Sequence, residues 1–152
     1  MAVVNLYTDG SSRGNPGPGG YGVILEFQGK RKEISQGFRR TTNNRMELLA
    51  VIVGLENLTT NKYIICVYSD SKYVIDSIKK GWVFSWQLKN FKGKKNADLW
   101  QRYLVIQANY QIQFNWVKGH AGHPENERCD ELAVSAALST DHLIDENFEI
   151  LG

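Results

Sequence analysis

The sequence is poor in cysteine and has no long apolar run. Its 152 residues include two cysteines, Cys66 and Cys129, which lie far apart and form no metal-ligand pair. This pattern does not indicate a disulfide framework, so we expect a reducing compartment. The longest apolar runs are a handful of residues, too short to span a bilayer. We therefore expect a cytoplasmic protein that does not associate with membranes.

The N-terminal residues also lack the features of a signal peptide. Residues 1–9 have neither a basic start nor a long apolar region. Histidine is scarce as well, with three residues in the chain, and neither cysteine has a ligand partner nearby. A zinc site is therefore not expected.

Acidic residues are concentrated at the C-terminus. Residues 141–152 contain four acidic side chains and no Lys or Arg, whereas the rest of the chain has 18 basic and 12 acidic side chains, a net charge of about +6. A basic body suits an anionic partner. With 42% apolar residues, the chain can form one ordinary domain. We assign this domain to residues 1–140 and treat residues 141–152 as an acidic C-terminal tail.

The first half of the sequence predicts strands, a glycine-rich loop and a helix. A strand over residues 3–8 ends at Asp9, and five glycines and two prolines in residues 10–20 predict an irregular loop. Residues 21–27 and 33–39 predict a hairpin, and the apolar spacing changes to a helical period over residues 44–58. The continuous apolar run of residues 64–68 predicts a parallel strand covered on both faces, ending near Asp70.

The second half completes an α/β pattern. We expect a short helix over residues 73–78, an irregular lysine-rich stretch, a helix over 97–108, a strand over 110–116 and a final helix from Pro124. The order predicts an α/β domain with a mixed five-stranded sheet and helices packed on it. Because the helix over 44–58 can cross over between parallel strands, Asp9 and Asp70 are expected to be neighbours.

Two further acids occupy positions where a carboxylate is costly. Glu47 and Asp130 each have small or apolar residues at the i+3, i+4 and i+7 positions, so both lie on inward-facing helix stripes. Each acid has an ordinary alternative. Glu47 could cap its helix with Asn44, Asp9 and Asp70 could be turn residues, and Asp130 could pair with Arg128 or Lys118. Four acids near one crevice nevertheless favour a hard cation, for which magnesium is the natural choice.

Residues 79–96, which we call the basic arm, combine lysine with aromatic residues. Six lysines and no acid occur in this region, interleaved with Trp82, Phe84, Trp86 and Phe91. This composition is typical of a protrusion that contacts a nucleic-acid backbone, although a charge run is often only a solvated face. Trp82 and Trp86 are expected to form a small core of the arm rather than to stack on bases. The substrate contacts proposed there are Lys89, Lys92, Lys94 and Lys95.

Six groups of motifs in order resemble bacterial-type ribonuclease H over residues 3–137. They are YTDGS at 7–11 with GNPG at 14–17, TNNRMEL at 42–48, SDS at 69–71, DLW at 98–100, WVKGH at 116–120 and NERCDELA at 126–133. The resemblance implies the ribonuclease H-like fold with a basic protruding arm. It also implies an endonuclease that cuts the RNA strand of RNA–DNA hybrids by a two-metal-ion mechanism, leaving 5′-phosphate and 3′-hydroxyl ends.

The resemblance assigns roles to particular residues. It implies a magnesium-binding quartet of Asp9, Glu47, Asp70 and Asp130, at which manganese can substitute. It places His120 in a mobile loop as an aid to proton transfer or product release. It also implies that a set of small polar residues contacts the hybrid: Asn15, Thr42, Asn43 and Asn44. N-capping remains an alternative role for Asn43 and Asn44. The protein is expected to act as a monomer.

Two residues depart from the family pattern, and other classes of protein compete. Lys72 stands where an amide is expected, and Arg13 lies unexpectedly in the glycine-rich loop. The main competing hypothesis is a non-catalytic hybrid-binding module, which would have lost one or more of the four acids. An actin-like ATPase would need a second lobe. A reverse-transcriptase fragment is disfavoured by the methionine just before the first strand.

Overall fold

The structure, a computed structural model, describes residues 2–119 and 122–151. Six strands are described: β1 Val3–Ser12, β2 Gly17–Phe27, β3 Lys30–Thr41, β4 Ile64–Ser69, β5 Ile112–Trp116 and β6 His142–Leu143. Six helices are described: α1 Asn43–Glu56, α2 Lys72–Lys79, α3 Trp82–Leu88, α4 Ala97–Gln107, α5 Pro124–Leu138 and α6 Glu146–Leu151. Within these described residues, no helix is long and apolar enough to cross a membrane.

The strands form one mixed sheet in the order β5-β4-β1-β2-β3-β6. The pairs β1–β2 and β2–β3 are antiparallel, whereas β4 pairs in parallel with both β1 and β5. The predicted mixed α/β architecture is confirmed, but the sheet has a sixth strand. Residues 142–143 of the acidic tail form this strand and pair with Gly37 and Phe38 of β3. A strand of two residues is too short to show a pattern in the sequence, and its partner lies about 100 residues away.

Helices cover both faces of the central strands. Helix α1 packs on β1 and β2 and contacts α4, while α5 packs on β1, β2 and β3. The core between α1, α4 and the sheet is apolar, with Leu6, Leu48, Ile52 and Trp100 fully buried. Since burial of large apolar side chains is the main stabilising contribution in a domain of this size, this layer holds α1 firmly on β1.

The expectation that β4 is covered on both faces was wrong. Only alternate residues are buried in this strand, and Ile64, Cys66 and Tyr68 are half-buried. The reason is that α5 covers β1, β2 and β3 but not the neighbouring β4. The outer face is closed partly by aromatic contact, since the ring of Tyr68 stacks on that of Tyr7 at a centroid distance of 5.0 Å.

The glycine-rich residues 10–20 were predicted as an irregular loop, but only residues 13–16 are irregular in the structure. Strand β1 continues to Ser12 and β2 begins at Gly17. The glycines serve close packing here, because a Cβ atom at Gly20 would lie 2.7 Å from the Ala133 carbonyl oxygen and from the Ala136 Cβ. Helix α5 can therefore lie directly against β2, a contact that the composition of the segment could not indicate.

The basic arm contains a helix where an irregular stretch was expected. Helix α3 lies within it, and Val83 and Phe91 are buried and join the main core. Trp86 packs edge-on against Trp100 at a centroid distance of 6.0 Å. Trp82 is 45% exposed and Trp86 packs against the main core, so the expectation that these two side chains form a separate core of the arm was wrong. The arm is therefore anchored on α4.

The C-terminal segment, residues 141–151, docks on the body of the domain through a buried ion pair. Asp145 accepts hydrogen bonds of 2.8 and 2.9 Å from the Arg45 guanidinium and one of 2.7 Å from the Thr41 hydroxyl. Arg45 also donates to Asp98. Because all three charged groups are largely buried, the segment is fixed at the N-terminal end of α1.

Candidate active site

The parallel pairing of β1 and β4 brings two acids together. Tyr7 lies opposite Tyr68 in this ladder, and Asp9 and Asp70 each follow two residues later. Asp70 directly follows the last residue of β4, as expected, whereas Asp9 lies inside β1 and not at its end. The predicted proximity of the two carboxylates is confirmed, because adjacent parallel strands carry equivalent residues side by side.

Glu47 reaches the same place from α1. The helix is capped by Thr42, whose hydroxyl accepts a hydrogen bond of 3.3 Å from the Arg45 backbone N–H. Glu47 is therefore beyond the first turn, and its side chain is buried, so the alternative role as a capping partner of Asn44 was wrong. A Cβ atom at Gly10 would collide with the Glu47 backbone nitrogen. Glycine at this position lets β1 approach α1 closely beside Asp9.

Three carboxylates crowd at this point. One oxygen each from Asp9, Glu47 and Asp70 lies within 4.8 Å of the others. Burial, followed by the charge of Asp70, raises the pKa of Asp9 to about 8. Burial, followed by the charges of Asp9 and Asp70, raises the pKa of Glu47 well above its usual value. Three ionised acids therefore repel one another here unless a cation neutralises them.

Two oxygen atoms in the cluster lack hydrogen-bond partners. Among the residues that the structure describes, Glu47 Oε1 and Asp70 Oδ1 are buried and accept no hydrogen bond. A buried acceptor without a partner costs about 1–3 kcal/mol, and more when it is charged. Carboxylate oxygens are the ligands that magnesium prefers, so these residues fit a hard divalent cation.

Asp130 lies beside the cluster but farther out. It lines the same cavity as Asp9 and Asp70 and is half-buried on α5. The alternative pairing with Arg128 was wrong, since Arg128 forms ion pairs with Glu33 and Glu131. Lys118 lines the cavity too, but within the described part of the chain Asp130 has no ion pair. The structure therefore brings three of the predicted acids, Asp9, Asp70 and Asp130, to one cavity. The fourth, Glu47, does not line the cavity but lies beside Asp9 and Asp70 in the carboxylate cluster.

His120 lies outside the described residues. On its N-terminal side, Gly119 approaches the cluster, where a Cβ atom would lie 2.9 Å from Asp70 Oδ2. On its C-terminal side, Gly122 adopts a φ of +79°, which favours glycine. His123 directly precedes the first residue of α5, and it also lines the cavity.

The contacts of Trp116 could not be predicted from the sequence. Its indole N–H donates a hydrogen bond of 3.1 Å to the backbone carbonyl oxygen of Asp70. The ammonium group of Lys72 lies 4.1 Å from the centre of the same indole ring, which identifies a cation–π contact. Trp116 is 41% exposed, and the strand predicted over residues 110–116 gave no sign of its partners. Arg13, the other departure, is exposed.

Part of the predicted substrate-binding set surrounds a second cavity of about 430 Å³ near the start of α1. The Asn15 amide oxygen accepts a hydrogen bond of 3.0 Å from the backbone N–H of Asn43, so Asn15 satisfies a donor that the helix leaves free. The predicted contacts that line this cavity are Asn15, Thr42, Asn44, Lys94 and Lys95.

The remaining predicted contacts lie outside the residues that line this cavity. Asn43 is exposed, and it is the first residue of α1 rather than its cap. Lys89 and Lys92 are exposed on the basic arm. The four arm lysines therefore form two pairs. Lys94 and Lys95 lie at the cavity beside the polar residues of α1, and Lys89 and Lys92 lie outside its lining.

The fold and the carboxylate cluster place the chain among the nucleases, within the hydrolases. The family model for RNase H matches residues 1–138. The chain therefore belongs to the RNase H family.

Relatives of known name agree with this assignment. A ribonuclease H from Desulforamulus reducens is 56% identical over 142 residues, which cover 90% of this chain and 89% of that protein. A ribonuclease H from Escherichia coli is 52% identical, with 91% of this chain and 92% of that protein covered. At this level of identity over most of both chains, the protein is an enzyme, a ribonuclease H.

Solved structures show the same fold. LC9-RNase H1, described as a type 1 RNase H with the type 2 active-site motif, matches with a TM-score of 0.80 and 32% identity, covering 99% of this chain and 80% of that one. LC11-RNase H1, solved in complex with an RNA/DNA hybrid, matches with a TM-score of 0.70 and 27% identity, covering 90% and 99%.

Proposed function

We propose that the protein cuts the RNA strand of RNA–DNA hybrids internally, with two magnesium ions and with 5′-phosphate and 3′-hydroxyl ends as products. Manganese can substitute for magnesium. The observation that carries this proposal is the buried carboxylate cluster, in which Glu47 Oε1 and Asp70 Oδ1 have no hydrogen-bond partner among the described residues. Such a cluster is costly in the free protein and suits a site that gains its cations together with a phosphodiester.

Each acid has a separate task in this proposal. Asp9 and Asp70 would hold both ions, Glu47 would bind one and Asp130 the other. When bound, two such ions activate a water molecule and stabilise the leaving oxygen of a phosphodiester. His120 would move a proton at the reacting oxygen or help the product to leave.

The substrate assignment rests on the polar residues around α1. Side-chain amides both donate and accept hydrogen bonds, so Asn15, Asn43 and Asn44 can recognise the 2′-hydroxyl groups of RNA. Thr42 and the arm lysines would contact the phosphate backbone. The complex of LC11-RNase H1 with an RNA/DNA hybrid supports the same class of substrate.

We also propose that the enzyme works as a monomer in the cytoplasm. All four acids come from one chain, so the site needs no second copy to complete it. Both cysteines are free thiols, which suits a reducing compartment.

The experiment compares cleavage of three labelled duplexes, with and without magnesium: RNA–DNA hybrid, duplex DNA and duplex RNA. We expect magnesium-dependent cleavage of the RNA strand of the hybrid alone. The variants Asp9→Asn, Glu47→Gln and Asp70→Asn should each nearly abolish hydrolysis and leave the fold intact, and Asp130→Asn should be severe but less complete. Asp76→Asn on α2, which removes a carboxylate outside the cluster, is the matched control.

Two results would contradict the proposal. Near-normal cleavage by Asp70→Asn would show that hydrolysis does not depend on the carboxylate cluster. A wild-type protein that binds hybrid but never cuts it would instead favour the non-catalytic hybrid-binding module.

A further inference from the structure

The C-terminal segment forms part of the cavity at the start of α1. Asn147 and Phe148 of α6 line this cavity opposite the polar residues of α1 and beside the basic arm. The RNase H family model ends at residue 138, so these two side chains lie beyond the part of the chain that the family defines. They are placed where the predicted substrate contacts Asn15, Thr42 and Lys94 meet.

A network of ion pairs fixes α6 in this position. Asp145, immediately before α6, is held by Arg45 through two hydrogen bonds. At the next turn, Glu149 accepts hydrogen bonds of 2.8 and 2.9 Å from the Arg39 guanidinium. The guanidinium carbon of Arg45 lies 5.9 Å from the centre of the Phe148 ring. A short helix held at both ends presents its side chains in a fixed geometry, which lowers the entropic cost of a contact.

The charged side chains around the cavity can accommodate an anionic group. The N–H groups of Arg45 donate to Asp145, Asp98 and Asn96, so this cation is already engaged. Lys94 and Lys95 are exposed at the cavity. Asn147 is exposed too, and it lines the cavity together with Asp98. Because an amide nitrogen carries two N–H groups, the exposed Asn147 side chain can donate to an anionic group in the cavity.

We propose that α6 forms a third wall of the hybrid-binding groove, beside the polar residues of α1 and the basic arm. The Asn147 amide donates to a backbone phosphate of the hybrid, and the Phe148 ring packs against the neighbouring sugar. This inference rests on the proposed hybrid substrate and extends it to a segment that the sequence motifs do not reach. The two lysines supply the charge at this place, while Asn147 and Phe148 supply a contact of defined position.

The test measures hybrid binding and cleavage by Asn147→Ala and Phe148→Ala. Fluorescence anisotropy in magnesium-free buffer gives the dissociation constant, and steady-state cleavage with magnesium gives KM and kcat. Loss of a hydrogen bond to a charged group should weaken binding by about fivefold in Asn147→Ala and raise KM to a similar extent. We expect kcat to stay within about twofold, since a uniform contact does not lower the chemical barrier.

The matched control is Ile150→Ala, a truncation on the same helix at a side chain that is 78% exposed and not part of the cavity lining. It should bind hybrid like the wild type. Asn147→Asp should bind more weakly than Asn147→Ala, because an added carboxylate repels phosphate.

Unchanged binding by both Asn147→Ala and Phe148→Ala would overturn the inference, and so would tighter binding, which would make α6 a shield over the groove. A wild-type protein that binds hybrid without cutting it would contradict the proposed hydrolysis alone. The comparison of dissociation constants would still decide the role of α6.

Discussion

The indole N–H of Trp116 donates to the backbone carbonyl oxygen of Asp70, across a sequence separation of 46 residues. This hydrogen bond connects β5 to the residue that directly follows β4. Since Asp70 supplies one oxygen of the carboxylate cluster, Trp116 fixes the backbone from which that carboxylate projects.

Trp116→Phe should therefore weaken metal binding without removing a ligand. Phenylalanine keeps an aromatic ring under Lys72 but has no N–H donor. We expect magnesium affinity to fall about tenfold, at the lower end of the effect that follows from the loss of groups that orient metal ligands. Titration calorimetry with magnesium measures the affinity, and kcat at saturating magnesium should recover most of its wild-type value. An unchanged affinity would show that Asp70 is held by other contacts.

The metal-free protein should lose stability as the pH rises. The pKa of Asp9 is raised from 3.8 to about 8 in the folded state, mainly by burial and then by Asp70. The folded state thus binds more protons than the unfolded state between these values, so the free energy of unfolding falls across this range. Urea denaturation from pH 4 to pH 9 in the presence of a chelator measures the change.

Asp9→Asn is the control for this pH dependence, because it removes both the titrating group and the repulsion. It should flatten the profile and raise the stability of the metal-free protein at pH 8. A wild-type profile that rises with pH over the same range would contradict the crowding of ionised acids in the cluster.

His120→Ala should slow turnover and leave hybrid binding almost unchanged. A proton-transfer residue affects the chemical step and not substrate binding, so we expect kcat to fall about tenfold or more. Added imidazole should restore part of the rate. If the dissociation constant of the hybrid rises as much as kcat falls, His120 is a substrate contact and not a proton shuttle.

The two lysine pairs of the basic arm should differ in their contributions to binding. Replacing Lys89, Lys92, Lys94 and Lys95 together by Ala should raise KM, flatten the salt dependence of binding and change kcat little, since phosphate contacts release counterions. Of the two double variants, the one that lacks Lys94 and Lys95 should show the larger increase in KM, because these residues line the cavity.

The salt dependence of the dissociation constant checks this expectation. Loss of two phosphate contacts should reduce the slope of log affinity against log salt by about 1.8. The cut strand should remain RNA in every variant. An unaltered slope in the quadruple variant would show that these lysines make no phosphate contacts and are only solvated.

Asp145→Asn should destabilise the whole domain. The Arg45 guanidinium is almost fully buried, and it would lose one of its two charged partners. We expect the free energy of unfolding in urea to fall by about 2 kcal/mol, because a buried cation is costly when a partner is removed. Glu149→Gln breaks the exposed pair between Glu149 of α6 and Arg39 of β3 and should have a much smaller effect. Equal effects would contradict a special role for the buried pair.

The four acids and the fold class could be predicted because their signals are local. A strand that ends near an acid and a helix stripe that contains one are both visible within ten residues. The parallel orientation of β1 and β4 then follows from the usual crossover connection, and the structure confirms that Asp9 and Asp70 are neighbours.

The remaining features depend on contacts between distant residues. Arg45 and Asp145 are 100 residues apart in sequence, and no periodic pattern links them. The glycines of β2 were interpreted as loop residues because glycine is common in loops, whereas Gly20 is needed for contact with α5. A pattern within one segment cannot reveal the surface of another element that packs against it.

The pairing of β6 with β3 has a consequence for self-association. The pairing involves Gly37 and Phe38, and an open strand edge is a template on which another chain can add. Lys30, Arg31, Lys32 and Glu33 follow one another along the first part of β3, and all four are exposed. Charged side chains on an edge disfavour pairing between sheets, so the β6 pairing and this charged stretch together protect β3 from aggregation.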